Sequence, residues 1–198
     1  MASVRALTAA SLVLTLAGCS DAVQPTDPDR AVYVGRIAGS DLALGVVVED
    51  GALVAYLCGG PSTLESHTSW LDGASRGASL SAQGPRASLS AVANGQRVDG
   101  TLVDSQGVRW AFSLARAADG SRAGLYESRE GACRTGVILF DAETGAAQGA
   151  GCDGQGRRSQ VTPVRPMTVS TSGLAAQATL APERVLYVRP VRPALTQR

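Results

Sequence analysis

Ala78-Ser79-Leu80-Ser81-Ala82-Gln83-Gly84-Pro85-Arg86-Ala87-Ser88-Leu89-Ser90-Ala91-Val92-Ala93-Asn94-Gly95-Gln96-Arg97-Val98-Asp99-Gly100-Thr101-Leu102 alternates apolar and polar residues. A period of two is the repeat of a strand with one dry face. A turn at Gly84-Pro85 sets Ala78, Leu80 and Ala82 against Ala91, Leu89 and Ala87, with Ser79, Ser81, Ser88 and Ser90 on the other face. Asn94-Gly95 favours a two-residue hairpin turn and places Ala91 opposite Val98, Leu89 opposite Gly100 and Ala87 opposite Leu102. A third turn at Asp104-Ser105-Gln106 carries the same face on through Val108, Trp110, Phe112 and Leu114. Four successive strands agree on which side is buried, a consistency that a one-residue slip would destroy. The segment is an antiparallel meander.

Working outward, Ala31–Ala38, Leu42–Glu49 and Ala52–Cys58 read as three earlier strands, with Asp50-Gly51 as a tight turn. Both faces of Leu42–Glu49 are apolar, which predicts a central position. Later strands are expected at Gly124–Ser128, Arg134–Phe140, Ala146–Cys152, Val161–Val164, Thr168–Ser172, Leu174–Leu180 and Val185–Val188. The fold class is all-β: an antiparallel meander of about 11 to 14 short strands, enough that the sheet must close into a barrel or a sandwich. Pro163-Val164-Arg165-Pro166 recurs as Pro190-Val191-Arg192-Pro193. Proline ending two edge strands explains the repeat more simply than a polyproline ligand does.

The first residues have a different logic. Arg5 precedes an apolar run, Ala6–Ala17. That run is too short to span a bilayer, which needs roughly 20 apolar residues, but it has the length of a signal-peptide core. It ends in Leu16-Ala17-Gly18-Cys19. This tetrapeptide resembles the lipobox of bacterial lipoproteins. The resemblance implies a diacylglycerol on the Cys19 sulfur, a cut just before Cys19, palmitate among the acyl chains, and a lipoprotein of the cell envelope facing away from the cytoplasm. The expected organisation is a signal peptide over 1–18, a lipidated N-terminus and tether over 19–30, and a single all-β domain over 31–198. Pro25 and Pro28 among Asp, Gln and Thr make the tether polar, with nothing to bury.

Residues 32–151 also resemble a loosely related set of exported domains of GC-rich bacteria. The shared patterns are Tyr56-Leu57-Cys58, Trp70-Leu71-Asp72-Gly73 and Gly136-Val137-Ile138-Leu139. This resemblance implies an all-β fold and no particular activity.

Of the 18 basic residues, all are Arg, and 17 acidic residues balance them. Loss of Arg5 on cleavage leaves the mature chain near neutral, without a field that would draw in nucleic acid. Export would place Cys58, Cys133 and Cys152 where disulfides persist. With Phe140 opposite Gly145 across a hairpin turn, Cys133 falls opposite Cys152, close enough to bridge. Cys58 is then left as a free thiol at a strand end.

Several catalytic motifs fail on context. Gly73-Ala74-Ser75-Arg76-Gly77 matches the nucleophile elbow, which needs a strand before the serine, a helix after it and a later histidine. The residues that follow alternate like a strand, Ser75 reads as part of a small-residue loop, and the only histidine, His67, lies upstream. His67 itself reads as an exposed strand residue. Gly149-x-Gly151-x-x-Gly154 matches the dinucleotide fingerprint, yet no helix follows, so it reads as a glycine-rich turn. One histidine and scattered cysteines do not supply a zinc set, and Asp27, Asp29 and Asp153 lack a calcium-loop spacing. Glu49, Asp50, Glu127, Glu130 and Glu143 fall at strand ends, where acids serve solubility. No catalytic, metal or cofactor residues are expected. The reading is a lipid-anchored, non-catalytic binding or structural module whose partners are the membrane, through Cys19, and an envelope protein or small ligand. The alternative is an envelope or extracellular hydrolase using His67.

Overall fold

A computed structural model describes residues 30–194, apart from 154, 171, 179 and 180, and the side chains of 181–183. The expected export signal, Cys19 and the expected tether before Arg30 lie outside the described residues.

Eight strands form a closed antiparallel barrel in chain order: β1 (Arg30–Arg36), β2 (Ala43–Glu49), β3 (Ala52–Cys58), β4 (Ser69–Arg76), β5 (Ser79–Gln83), β6 (Ala87–Ala93), β7 (Arg97–Asp104) and β8 (Arg109–Arg116). Closure is made where Tyr33 and Val34 pair with Arg116 and Ala115. A one-turn helix, α1 (Leu64–His67), bridges β3 and β4. The second half is built from β9 (Gly124–Glu130), β10 (Cys133–Asp141), β11 (Ala146–Cys152), β12 (Arg158–Pro163), β13 (Val169–Ser170), β14 (Gly173–Ala178) and β15 (Ala181–Pro190). Its sheet runs β12-β11-β10-β9-β15-β14-β13, and a further β12–β14 pairing closes it into a second barrel.

The meander keeps the expected facing with a different register. Leu80 lies opposite Ala91, Leu89 opposite Leu102 and Leu102 opposite Trp110, each two positions from the pairing that the turn dipeptides suggest. The first turn is centred one residue later, on Pro85-Arg86, with the Gly84 amide donating to the Ala87 carbonyl at 2.9 Å. At the other two the cause is side-chain bonding. Asn94 Oδ1 accepts the Arg97 amide at 2.9 Å, and Asp104 Oδ1 accepts the amides of Gln106 and Val108, both at 2.8 Å, so each loop is wider than a two-residue turn. A shift of two preserves parity, so Leu80, Ala82, Leu89, Val98, Leu102 and Leu114 all point into the first barrel. Asp50-Gly51 does form the two-residue turn: Glu49 pairs with Ala52, and both turn residues have positive φ, 51° and 78°.

Among the described residues three apolar cores result. Leu44, Val46, Leu53 and Leu57 join the meander residues inside the first barrel. Tyr126, Val137, Leu139, Val161, Leu174 and Val188 fill the second. Between the barrels, the outer faces of β1, β2 and β3, carrying Val32, Val34, Ala43, Val47, Val54 and Tyr56, pack on Leu125, Ile138 and Ala150. This explains why β2 is apolar on both faces: Leu44 and Val46 point inward while Ala43 and Val47 meet the other barrel. At the same seam a Cβ on Gly136 would lie 2.5 Å from the Tyr56 ring, so the missing side chain sets how closely the barrels approach. Away from the seam the first barrel's outer face is polar, as in Ser79, Ser81, Ser90 and Asp99.

Several expectations need correction. Ser69–Arg76 is a strand, paired on both sides by β3 and β5, which adds a fifteenth strand to the expected set. Pro163 and Pro190 do end strands, but not at sheet edges, because β12 and β15 each have two neighbours. Gly149 and Gly151 lie within β11 and not in a turn. A Cβ on Gly149 would sit 2.8 Å from the Gly136 carbonyl oxygen, so the glycine answers a close backbone approach. Gly154 lies outside the described residues.

Candidate functional site

The β10–β11 hairpin contains a bulge at Phe140: Leu139 pairs with Ala147, and Asp141 pairs with Ala146. Asp141 Oδ1 accepts the amides of Glu143 and Thr144 at 2.7 and 3.1 Å and draws the turn toward itself. The register is therefore one residue from the expected one, yet Cys133 and Cys152 are disulfide-bonded, with Cα atoms 5.6 Å apart. The bridge lies beyond the last rung between these two strands, Gly136–Ala150, while the outer neighbours pair Cys133 with Glu130 and Cys152 with Arg158. Cys58 is free and fully buried at the end of β3, and desolvation pushes its thiol up to about 12. The Cys58 carbonyl accepts Gln148 Nε2 at 2.9 Å, and Gln148 Oε1 in turn accepts Arg36 Nη1 at 2.7 Å. This polar chain braces the seam.

Beside the disulfide, the seam opens into a cleft of about 240 Å³. Its walls come from both barrels: Thr68, Ser69 and Trp70 at the start of β4, Arg86 from the β5–β6 turn, Arg134 from β10, and Arg158 at the start of β12. Trp70 stacks on Tyr56, centroids 4.4 Å apart, and its other side carries the Arg134 guanidinium, 3.6 Å from the ring centroid. Glu127 holds Arg134 at 2.6 Å. Tyr56 is fixed from behind by its hydroxyl, which donates to the Ala150 carbonyl at 3.2 Å.

Arg86 and Arg158 are held differently. Both donate to one acceptor, the backbone carbonyl of Glu65 in α1, Arg158 at 3.1 Å. Among the described residues neither forms an ion pair with a carboxylate. Burial first, and the charge of Arg86 second, lower the pKa of Arg158. Two guanidiniums thus converge on a single neutral oxygen at the mouth of a small cleft. Asp41 fixes α1 from the other side, accepting the Ser62 amide at 2.8 Å and the Thr63 hydroxyl at 2.6 Å. Partial desolvation pushes the Asp41 carboxyl up, but those hydrogen bonds outweigh it and hold it below its ordinary value.

No protein family, curated protein or solved structure matches this chain. Function must therefore be read from the residues themselves.

His67 is the last residue of α1 and not part of a strand; its side chain is only 19% exposed. Its Nδ1 lies 2.7 Å from Ser66 Oγ and its Nε2 3.5 Å from Asp104 Oδ2, while the ring meets Trp110 edge-on. Ser75, the elbow serine, is a ladder residue of β4 opposite Leu80, and its amide donates to Gly51. It has none of the elbow's geometry. Asp153 accepts the amides of Gln155 and Arg157 and pairs with the Arg157 side chain at 2.7 Å, so its oxygens serve the turn. Asp27 and Asp29 lie outside the described residues.

Glu49 departs from the expected surface role. It is buried and paired with Arg192, and Arg30 Nη2 donates to the Val191 carbonyl at 3.1 Å, tying both ends of the described chain to the first barrel. Arg86, Arg134 and Arg158 were not singled out from sequence. They lie on three separate turns or strands, and no spacing signals their meeting.

Proposed function

We infer that this chain is a lipid-anchored envelope protein, held to the membrane through Cys19, that works as a non-catalytic binding module. The observation that supports this most is the cleft between the barrels, where side chains from both halves face one small space beside two filled interiors. Binding at a seam needs no acid, base or nucleophile.

The test is proximity capture in the intact envelope with a photo-reactive residue at Ser62, just before α1, or at Ser66 within it, both exposed. Amine crosslinkers do not suit a chain without Lys. A single captured component, lost when Cys19→Ala prevents lipidation, is the expected result. Capture unchanged by Cys19→Ala would remove the anchor from the reading.

One observation favours a hydrolase instead: Ser66, His67 and Asp104 are in line. Against it, the acid is too far for a good hydrogen bond to the imidazole. Asp104 Oδ1 is also occupied by the amides of Gln106 and Val108. Covalent labelling of Ser66 by a fluorophosphonate, abolished in His67→Ala, would establish this second reading in place of the first.

A further inference from the structure

We propose that the cleft between the barrels is a binding site for a phosphate group, with Arg86 and Arg158 as the residues that grip it. The proposal deepens the binding-module reading and rests on it.

Three features of the cleft point to this chemistry. The first is charge without a paired carboxylate. Arg134 already has Glu127, but Arg86 and Arg158 share the Glu65 carbonyl and form no ion pair among the described residues. The Glu65 carboxylate acts on Arg158 only from beyond ion-pair distance, so the two guanidiniums still repel one another, and an oxyanion placed between them gains both attractions. The second is geometry. A guanidinium presents a planar fork that matches two oxygens, and two forks converging from different barrels suit a tetrahedral group with three or more oxygens better than a planar carboxylate. The third is size. About 240 Å³ is below the usual range of pockets for drug-sized ligands, roughly 300–1,000 Å³. It leaves room for a phosphate and a short polar fragment attached to it. Thr68, whose Oγ1 accepts the Gly59 amide and keeps its own proton to donate, and the half-buried Trp70 wall supply a hydroxyl and a flat apolar surface for that fragment.

Because Arg86 comes from the first barrel and Arg158 from the second, an occupied site would also clamp the halves together. Binding should therefore stabilise the whole chain, since a ligand that binds only the folded state adds RT ln(1 + [L]/Kd) to its stability.

The experiment is calorimetric titration of inorganic phosphate into the full-length protein in neutral detergent at constant ionic strength. Thermal unfolding is followed in parallel. Saturable one-to-one binding with a rise in melting temperature is expected. Arg86→Gln and Arg158→Gln should each weaken binding at least ten-fold, and the double variant should abolish it. Arg158→Lys, which keeps the charge but loses the fork, should fall between. Near-UV circular dichroism of each variant reports whether the fold is kept. A second arm dopes the micelles with phosphatidic acid or with a zwitterionic lipid. A phosphate-reversible response to the acidic lipid assigns the group to a lipid headgroup, and phosphate binding without it assigns a soluble phosphate ester. Absence of saturable phosphate binding, or binding retained in the folded double variant, would overturn the proposal. If photo-capture still succeeded in that event, the binding-module reading would stand and this site alone would fall.

Discussion

Gly136 offers the sharpest test of how the barrels are joined. A methyl group there would lie 2.5 Å from two Tyr56 ring atoms and 2.8 Å from the Trp70 ring, against a comfortable carbon–carbon separation of about 3.5–4.0 Å. Roughly 1 Å must be found, and Tyr56 has nowhere to go: it is fully buried, stacked on Trp70 and tethered to Ala150. Overpacking of this kind costs about 1–3 kcal/mol, and the rigid neighbour argues for the top of that range. Replacing glycine by alanine returns about 0.4–1 kcal/mol by restricting the unfolded chain. The net expectation for Gly136→Ala is a loss of about 2 kcal/mol. With a urea slope of about 2 kcal/mol per molar, the midpoint should fall by about 1 M at unchanged slope. The control is the same substitution in a Tyr56→Leu background, where the two closest contacts are gone, Trp70 at 2.8 Å is left with room to move, and the penalty should fall to about 1 kcal/mol or less. An unchanged midpoint, or an equal loss in both backgrounds, would refute the steric account of the seam.

Three further outcomes follow from the same structure. Cys58 should resist alkylation at pH 8 in the folded protein and react promptly in denaturant. A free thiol titrates near 8.5 and Cys58 only at about 12, so the unfolded state loses its proton first. Stability should therefore hold below about pH 8.5 and decline as pH rises toward 12, an effect that Cys58→Ala would reduce, as read by urea titration across that range. Replacing both Cys133 and Cys152 by Ser opens a loop with a sequence separation of 19 and should lower stability by about 3 kcal/mol in the same titration. Leu102→Ala, at a fully buried site inside the first barrel, should cost about 2–5 kcal/mol. A loss below 1 kcal/mol there would mean the interior is not packed as described.

The parts of the fold legible in the sequence are those governed by parity. Leu80, Leu89 and Leu102 had to share a face whatever the turn length, because side-chain wetting repeats every two residues and the three loops changed register by two. The Phe140 bulge was invisible, since it depends on Asp141 capping its own turn. β4 was hidden by Gly73, Ser75 and Gly77, which locally read as loop, while the strand is imposed by neighbours on both sides. The double-faced apolarity of β2 signalled centrality but not a second barrel as the covering layer. The cleft was wholly illegible. Arg86 in a Gly-Pro turn between serine-rich strands and Arg158 after a glycine-rich turn look like solubilising charges until closure of two sheets brings them to one carbonyl.

The cover over β1, β2 and β3 also has a consequence in time. The first barrel is contiguous in the chain and can close as soon as Arg116 has been made, because its last partner, Tyr33, is already waiting. Its outer patch of Val32, Val47, Val54 and Tyr56 stays bare until Leu125, Ile138 and Ala150 arrive. A chain synthesised from its N-terminus therefore passes through a stage that is folded inside and sticky outside. A chain cut off between these two points would display a closed barrel seeking a substitute for its missing half.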